Sequence, residues 1–447
     1  MKYSIILQMI NILIPNNNIL ERKYAINECF NLLGLECSIS IGELPYYQIK
    51  WNNYIINIYD YFFSRFPETR SYLDKRNIPN SILYGKNQFT VEDDIPILFG
   101  NDKIIIQGNT IDCHIDIFAS VFFMLSRWEE YVITEKDVHG RFLSTSSLAF
   151  KCNFLHRPIV NEYIEMLWNM MYFLDESLYR KDKKFNLVLT HDIDLFRKGI
   201  FKFKYFKEAV IACIIRRDIQ QLISYFKGVC NYSKDPYNTF EYIMSKSEQI
   251  GVKSHFYFMS DNNSEYIYTK DFAEIIKKIK ERGHIIGFHP GYNTCSSNKN
   301  WTEEKKKIEK YINIKLKEGR QHILQVDLPT TFNIWESNRM EIDSTLGFAD
   351  NVGFRCGTGD IFTLFNVTES RPFNLKEMPL VIMECSLSKY QKKSMNESQD
   401  IINYYFSISN KYHSTLTLLF HNTSLCLLKG IGGWGDLYSN LTKYGIS

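Results

Sequence analysis

The sequence predicts an α/β fold: a barrel of parallel strands and helices over residues 185–447, preceded by a smaller mixed α+β segment. Three observations lead there. From Phe185 onward, short apolar runs rich in β-branched residues alternate with helical patterns, the texture of repeated βα units. Several of these runs end in ionisable residues, as barrel strands do at the face that carries chemistry. At 447 residues the chain also exceeds one ordinary hydrophobic core, so two or three domains are expected.

Residues 1–150 form the α+β segment. Ser4–Ile14 reads as an opening strand rather than a signal peptide, because Gln8 and Asn11 interrupt it and no small-residue cleavage site precedes Asn16-Asn17-Asn18. Leu20–Leu33 reads as a helix, Tyr47–Ile58 as strands and Lys103–Ile106 as another strand. Asp116 caps an apolar helix running to Tyr131, whose Phe118, Val121, Phe122 and Leu125 belong to the core. A connecting helix from His156-Arg157-Pro158 through Phe173 and the charged stretch Arg180–Lys184 make residues 151–184 a linker. Residues 1–150 hold no chemical constellation; the segment is expected to wall a cleft or to bind a glycan or a partner.

In the second half, strands are expected at Phe185–Thr190, Ser254–Met259, His284–Phe288, Ile323–Val326, Gly353–Arg355, Pro379–Glu384 and Thr415–Phe420. Helices are expected at Phe201–Lys227, Thr239–Ile250, Thr269–Arg282 and Glu303–Lys317.

Composition excludes several partners. The formal net charge is +3, and the basic run Lys305–Lys317 is surrounded by Glu303, Glu304, Glu309 and Glu318, which reads as a solvated helix face; no nucleic acid is expected. No run approaches the roughly 18 apolar residues of a transmembrane segment. The 10 cysteines stand singly, without a C-x-x-C pair, so neither a zinc ribbon nor a disulfide framework is expected, and a cytoplasmic protein with reduced thiols fits.

The chemistry gathers at the strand ends. The first run closes in Thr190-His191-Asp192-Ile193-Asp194. Alternation on a strand puts Asp192 and Asp194 on one face, and two buried carboxylates must be paired, protonated or metal-bound. A second run ends Gly287-Phe288-His289, and the last ends Phe420-His421. Together they point to a metal-dependent hydrolytic site. Other readings stay open: a helix cap plus an ion pair with Arg197 or Lys198 for the aspartates, a tight-turn histidine for His289, and a core histidine for His421. His284 reads as structural. His322 reads as a ligand or as a partner of Asp327 or Asp343, and Arg355 as a grip on a sugar hydroxyl or carboxylate, or a buried partner of Glu384.

These motifs, in this order, resemble the polysaccharide deacetylases (NodB homology, carbohydrate esterase family 4), in particular a bacterial subgroup with an uncharacterised N-terminal domain. The resemblance covers residues 185–430 and implies a distorted (β/α) barrel. It makes Asp192 the general base, Asp194 and His289 metal ligands, and His421 the acid that protonates the leaving group. Leu328-Pro329-Thr330-Thr331 through Asp343-Ser344 is similar to the family's proline motif, which puts Pro329 with Arg320 and Arg355 among the substrate-binding residues. The chain departs from the family at the second metal histidine, which is Asn293 here, a weaker zinc ligand than imidazole. His322 is the candidate replacement. The arginine expected near the proline motif falls on Asp327 or Gln325. The implied cofactor is a divalent metal, zinc first, with cobalt, nickel or manganese as alternatives.

The expected function is hydrolysis of an N-acyl (or O-acyl) group on a glycan or an activated sugar, an enzyme acting on non-peptide carbon–nitrogen bonds with a carbohydrate substrate. The alternative is a carbohydrate-binding or glycan-assembly protein of the same fold with a degenerate site, motivated by Asn293. An HD-type phosphohydrolase, suggested by His191-Asp192, would need that pair on a helix, whereas the run before it is strand-like.

Overall fold

The computed structural model describes residues 9–198, 206–207, 210–211, 214, 217, 219–260, 268–426 and 433–444. The N-terminal part is built on a six-stranded sheet in the order β2-β1-β3-β4-β8-β7. Its strands are β1 (Ile10–Pro15), β2 (Cys37–Gly42), β3 (Tyr46–Trp51), β4 (Tyr54–Tyr59), β7 (Gly100–Gln107) and β8 (Thr110–Ile115), and β5 (Leu83–Gly85) with β6 (Ile95–Ile97) form a separate pair. Period-2 alternation turns Tyr47, Ile49 and Trp51 of β3 inward. Helices α1 (Ile19–Leu33), α2 (Ile117–Ser126) and α5 (Ile159–Leu174) pack together, while α3 (Trp128–Val132) and α4 (Leu148–Lys151) are short.

Asp116 caps α2, its carboxylate accepting the N–H groups of Ala119, Tyr61 and Phe62. The expected run to Tyr131 is broken at Arg127, which adopts a left-handed conformation (φ 52°). Its guanidinium is buried against Glu129 and Glu130.

The second part is a nine-stranded sheet in the order β14-β15-β13-β12-β11-β10-β9-β17-β16. The strands are β9 (Asn186–Ile193), β10 (Ser254–Met259), β11 (Ile285–His289), β12 (Glu318–Gly319), β13 (Ile342–Asp343), β14 (Phe362–Asn366), β15 (Arg371–Glu377), β16 (Ile382–Met383) and β17 (Thr415–Leu419). Every neighbouring pair is parallel except the β14–β15 hairpin. The helices described among them are α6 (Ile219–Cys230), α7 (Phe240–Ile250), α8 (Lys270–Glu281), α9 (Asn298–Ile312), α10 (Thr330–Ser337) and α11 (Met395–Lys411). Among the described residues the ladder does not close into a barrel, since β14 and β16 are its edges. The stretch that leads from β15 to β16 spans the gap by single backbone hydrogen bonds, Leu380 N–H to the Leu346 carbonyl and Val381 N–H to the Thr417 carbonyl.

Several expected elements change. Residues 323–326 are not a strand: Ile323 and Leu324 are left-handed (φ 55° and 59°), and the strand is the earlier β12. Residues 353–355 lie in a loop, and the run at 379–384 contributes only β16. The helix expected at 303–317 starts earlier, where Ser297 caps α9. The hairpin β14–β15 was not foreseen. Part of the opening strand (residues 4–8) and most of residues 201–218 in the helix expected at Phe201–Lys227 lie outside the described residues.

One apolar core runs through both parts. The ring of Phe365 in β14 packs on Tyr24 of α1 (4.7 Å) and Phe122 of α2 (5.3 Å).

Candidate metal centre

Parallel pairing brings the carboxyl ends of several strands to one edge of the second sheet, the place where open α/β sheets put their sites. Asp192 lies at the end of β9 and Asp194 just past it, His289 closes β11, Arg320 follows β12, Glu384 follows β16 and His421 lies just past β17. Residues far apart in the chain therefore meet. As alternation requires, the two aspartates face one side, while His191 turns the other way and is bonded to the Phe420 carbonyl (2.8 Å).

Asp194 Oδ1 lies 3.2 Å from His289 Nε2, and Asp192 Oδ2 lies 3.9 Å from the same nitrogen. Asp194, His289 and His322 each offer one ligand atom, all within 4.8 Å of one another. The imidazoles of His289 and His322 stand edge to face at 5.2 Å. Two features test the fit of a cation. Asp194 Oδ1 and His289 Nε2 are buried and neither completes a hydrogen bond, although they face each other. His289 Nδ1 lies 2.7 Å from the Arg320 carbonyl, so it carries the proton and leaves the Nε2 lone pair for the site. One carboxylate oxygen and two imidazole nitrogens suit a borderline divalent ion such as zinc.

The electrostatics agree with that donor set. Burial opposes ionisation of Asp194, but contact with His289 and the charge of His421 hold its carboxyl well below the usual carboxylate range. Burial likewise works against a charged His289, yet Asp192 and Asp194 raise its imidazole above the ordinary value.

Two flanking groups are held by partners. Arg320, completely buried, donates from Nη1 to Asp192 Oδ1 (2.8 Å) and to Thr190 Oγ1 (2.9 Å), and from Nε and Nη2 to the Ser344 carbonyl and hydroxyl. His421 Nδ1 lies 2.7 Å from Glu384 Oε1, and its Nε2 points at Asp194 Oδ2 (3.7 Å). Burial would raise Glu384, but His421 and the Ser424 hydroxyl bring it down to about 2. In return, Glu384 and Asp194 overcome burial and hold His421 well above its ordinary value.

The remaining expected residues fall as follows. Arg320 differs from the substrate-binding role expected of it: its buried guanidinium is engaged by Asp192, Thr190 and Ser344, so it holds Asp192 instead. Asp327 pairs with Lys136 (3.2 Å). Arg355 also differs. It is buried and bonded to Glu130 (Nε to Oε1, 2.9 Å) and to the Gly347 carbonyl, neither facing a sugar nor paired with Glu384. Asn293 is exposed in a left-handed turn (φ 65°), and Pro329 is half-buried just before α10. Arg197 pairs with Asp235 and Asp271 rather than with the aspartates of β9. His284 is structural, accepting the Ser254 N–H (3.0 Å). Glu384 was missed, though it ends an apolar run just as Asp192 does.

Residues 10–175 match the model of a family of unknown function (DUF7033). No curated protein matches the chain. Among solved structures, the chain is similar to a Mycobacterium smegmatis protein assigned as a polysaccharide deacetylase, at 12% identity and TM-score 0.36, over 60% of this chain and 94% of that one. It is also similar to a mutant carbohydrate esterase family 4 pseudoenzyme with restored activity, at 12% identity and TM-score 0.30, over 60% and 68% of the two chains. A peptidoglycan N-acetylglucosamine deacetylase bound to an N-hydroxybenzamide follows at 14% identity and TM-score 0.24, over 52% and 85%. Likenesses this distant carry no weight for the site, which stands on its own geometry. Among the described residues, no helix is long and apolar enough to cross a membrane.

Proposed function

We propose that this protein is a metal-dependent hydrolase that removes an N-acyl (or O-acyl) group from a glycan or an activated sugar. The observation that carries the reading is the convergence of Asp194, His289 and His322 beside an aspartate clamped by Arg320 and a histidine clamped by Glu384. The carbohydrate comes from the motif resemblance. A divalent ion, zinc first, would be held by Asp194, His289 and His322 and would supply Lewis-acid polarisation of the acyl oxygen. Asp192 keeps Oδ2 available while Arg320 holds Oδ1, which suits it to take the proton of the attacking water. His421, kept charged by Glu384, donates a proton from Nε2 to the departing nitrogen or oxygen, without which an amine leaves poorly.

The test is metal content together with acetate release from N-acetylglucosamine oligomers and O-acetylated glycans. Asp194→Ala and His289→Ala are expected to lose metal. Asp192→Asn is expected to keep it while slowing release by ~10²–10⁴-fold. A wild-type chain that takes no metal and releases no acetate overturns the hydrolase and favours a glycan-binding protein with a degenerate site.

A further inference from the structure

The loop at residues 133–143 belongs to the N-terminal part, yet it rests on the turn that carries His322. Asp137 organises it, accepting the N–H groups of His139 (2.8 Å) and Arg141 (2.9 Å) and the Arg141 Nε (2.8 Å). Gly140 closes the turn with φ 72°, a conformation that favours glycine. The guanidinium aimed in this way donates to the Ile323 carbonyl (3.4 Å) and to the Tyr390 hydroxyl (3.1 Å). Two further ties flank it: Gln325 Nε2 donates to the His139 carbonyl (2.9 Å), and Lys136 pairs with Asp327 (3.2 Å).

What these contacts hold is strained. Ile323 and Leu324 are consecutive left-handed residues, and Ile323 is β-branched, a combination that persists only when the surroundings over-determine it. The turn's own backbone contributes Leu324 N–H to the Gln321 carbonyl and Gln325 N–H to the His322 carbonyl. The ties from Arg141, His139 and Lys136 add to these from the N-terminal loop. Tyr390, in turn, lies six residues past Glu384, so Arg141 ties the His322 side of the site to the His421 side.

We propose that the loop at residues 133–143 is a working wall of the metal site, in which Arg141, clamped by Asp137, is a positioning residue that fixes the turn presenting His322 to a divalent cation. This rests on the metal reading above. It gives the segment that matches a family of unknown function a defined part in the chemistry, because the C-terminal site attains full metal affinity only with the N-terminal loop in place. Groups that orient a ligand in this indirect way typically alter metal affinity by ~10–100-fold.

The experiment is cobalt(II) titration of the full-length chain, reading both dissociation constant and visible d–d spectrum. Arg141→Ala is expected to weaken cobalt binding by ~10–100-fold and to give a spectrum like that of His322→Ala. Gln325→Ala, which changes no charge, should shift affinity the same way by a smaller factor, and Arg76→Ala, a surface control, should not. Arg141→Ala combined with His322→Ala should bind no more weakly than His322→Ala alone. Wild-type affinity and spectrum in Arg141→Ala and Gln325→Ala, or additive losses in the double variant, overturn the inference while leaving the hydrolase intact. Failure of the wild-type chain to bind cobalt overturns the hydrolase first, and this inference with it.

Discussion

Glu384 touches His421 twice, at the ring Nδ1 (2.7 Å) and at the backbone N–H (3.1 Å), and is itself buried. Its negative charge favours the imidazolium, so Glu384→Gln should lower the pKa of His421. With the protonated histidine as the working form, the alkaline limb of kcat/KM moves to lower pH, because the carboxylate that favours the imidazolium is gone. A pH–rate profile of the variant checks this, and an unmoved alkaline limb removes His421 as the acid. Asp192, Asp194, His289 and His421 were legible in the sequence because each ends an apolar run. Arg320 was legible as a candidate but not in its role: a lone arginine in a polar stretch gives no sign that a buried carboxylate will claim its guanidinium.

β12 is two residues long, too short for any periodicity to reveal, yet it sits between β11 and β13 and delivers Arg320. Gly319 makes that possible. A Cβ there would stand 2.0 Å from the Phe288 carbonyl oxygen, so no side chain fits without parting the strands. Gly319→Ala is expected to destabilise the fold by roughly 3 kcal/mol, read as a lower urea midpoint. It should also weaken metal binding, because the Arg320 carbonyl orients His289. Longer elements such as β10, with its continuous apolar run, kept the bounds expected of them. Residues 323–326 misled because an apolar pattern says nothing about the two left-handed residues that turn the chain there.

On the scale of the whole molecule, the change of texture at Phe185 coincides with the passage from the first sheet to the second, but the side chains ignore it. Tyr24 and Phe122 pack on Phe365, and Glu130 neutralises a buried Arg355. Separating the parts would break that buried pair and expose the apolar surface they share to water. Neither partner was legible as such, since pairing across 225 residues of chain leaves no local trace. The exposed Lys181 and Lys184 offer a place to cut the chain between the two sheets. Trypsin nicking there should yield two pieces that co-elute on size exclusion in native buffer and part only in denaturant; separation in native buffer would contradict this. Because one apolar interior serves both sheets, the peptide between them acts as a tether rather than a hinge, and exchanging the N-terminal segment for a distant relative's should fail unless the matching surface travels with it.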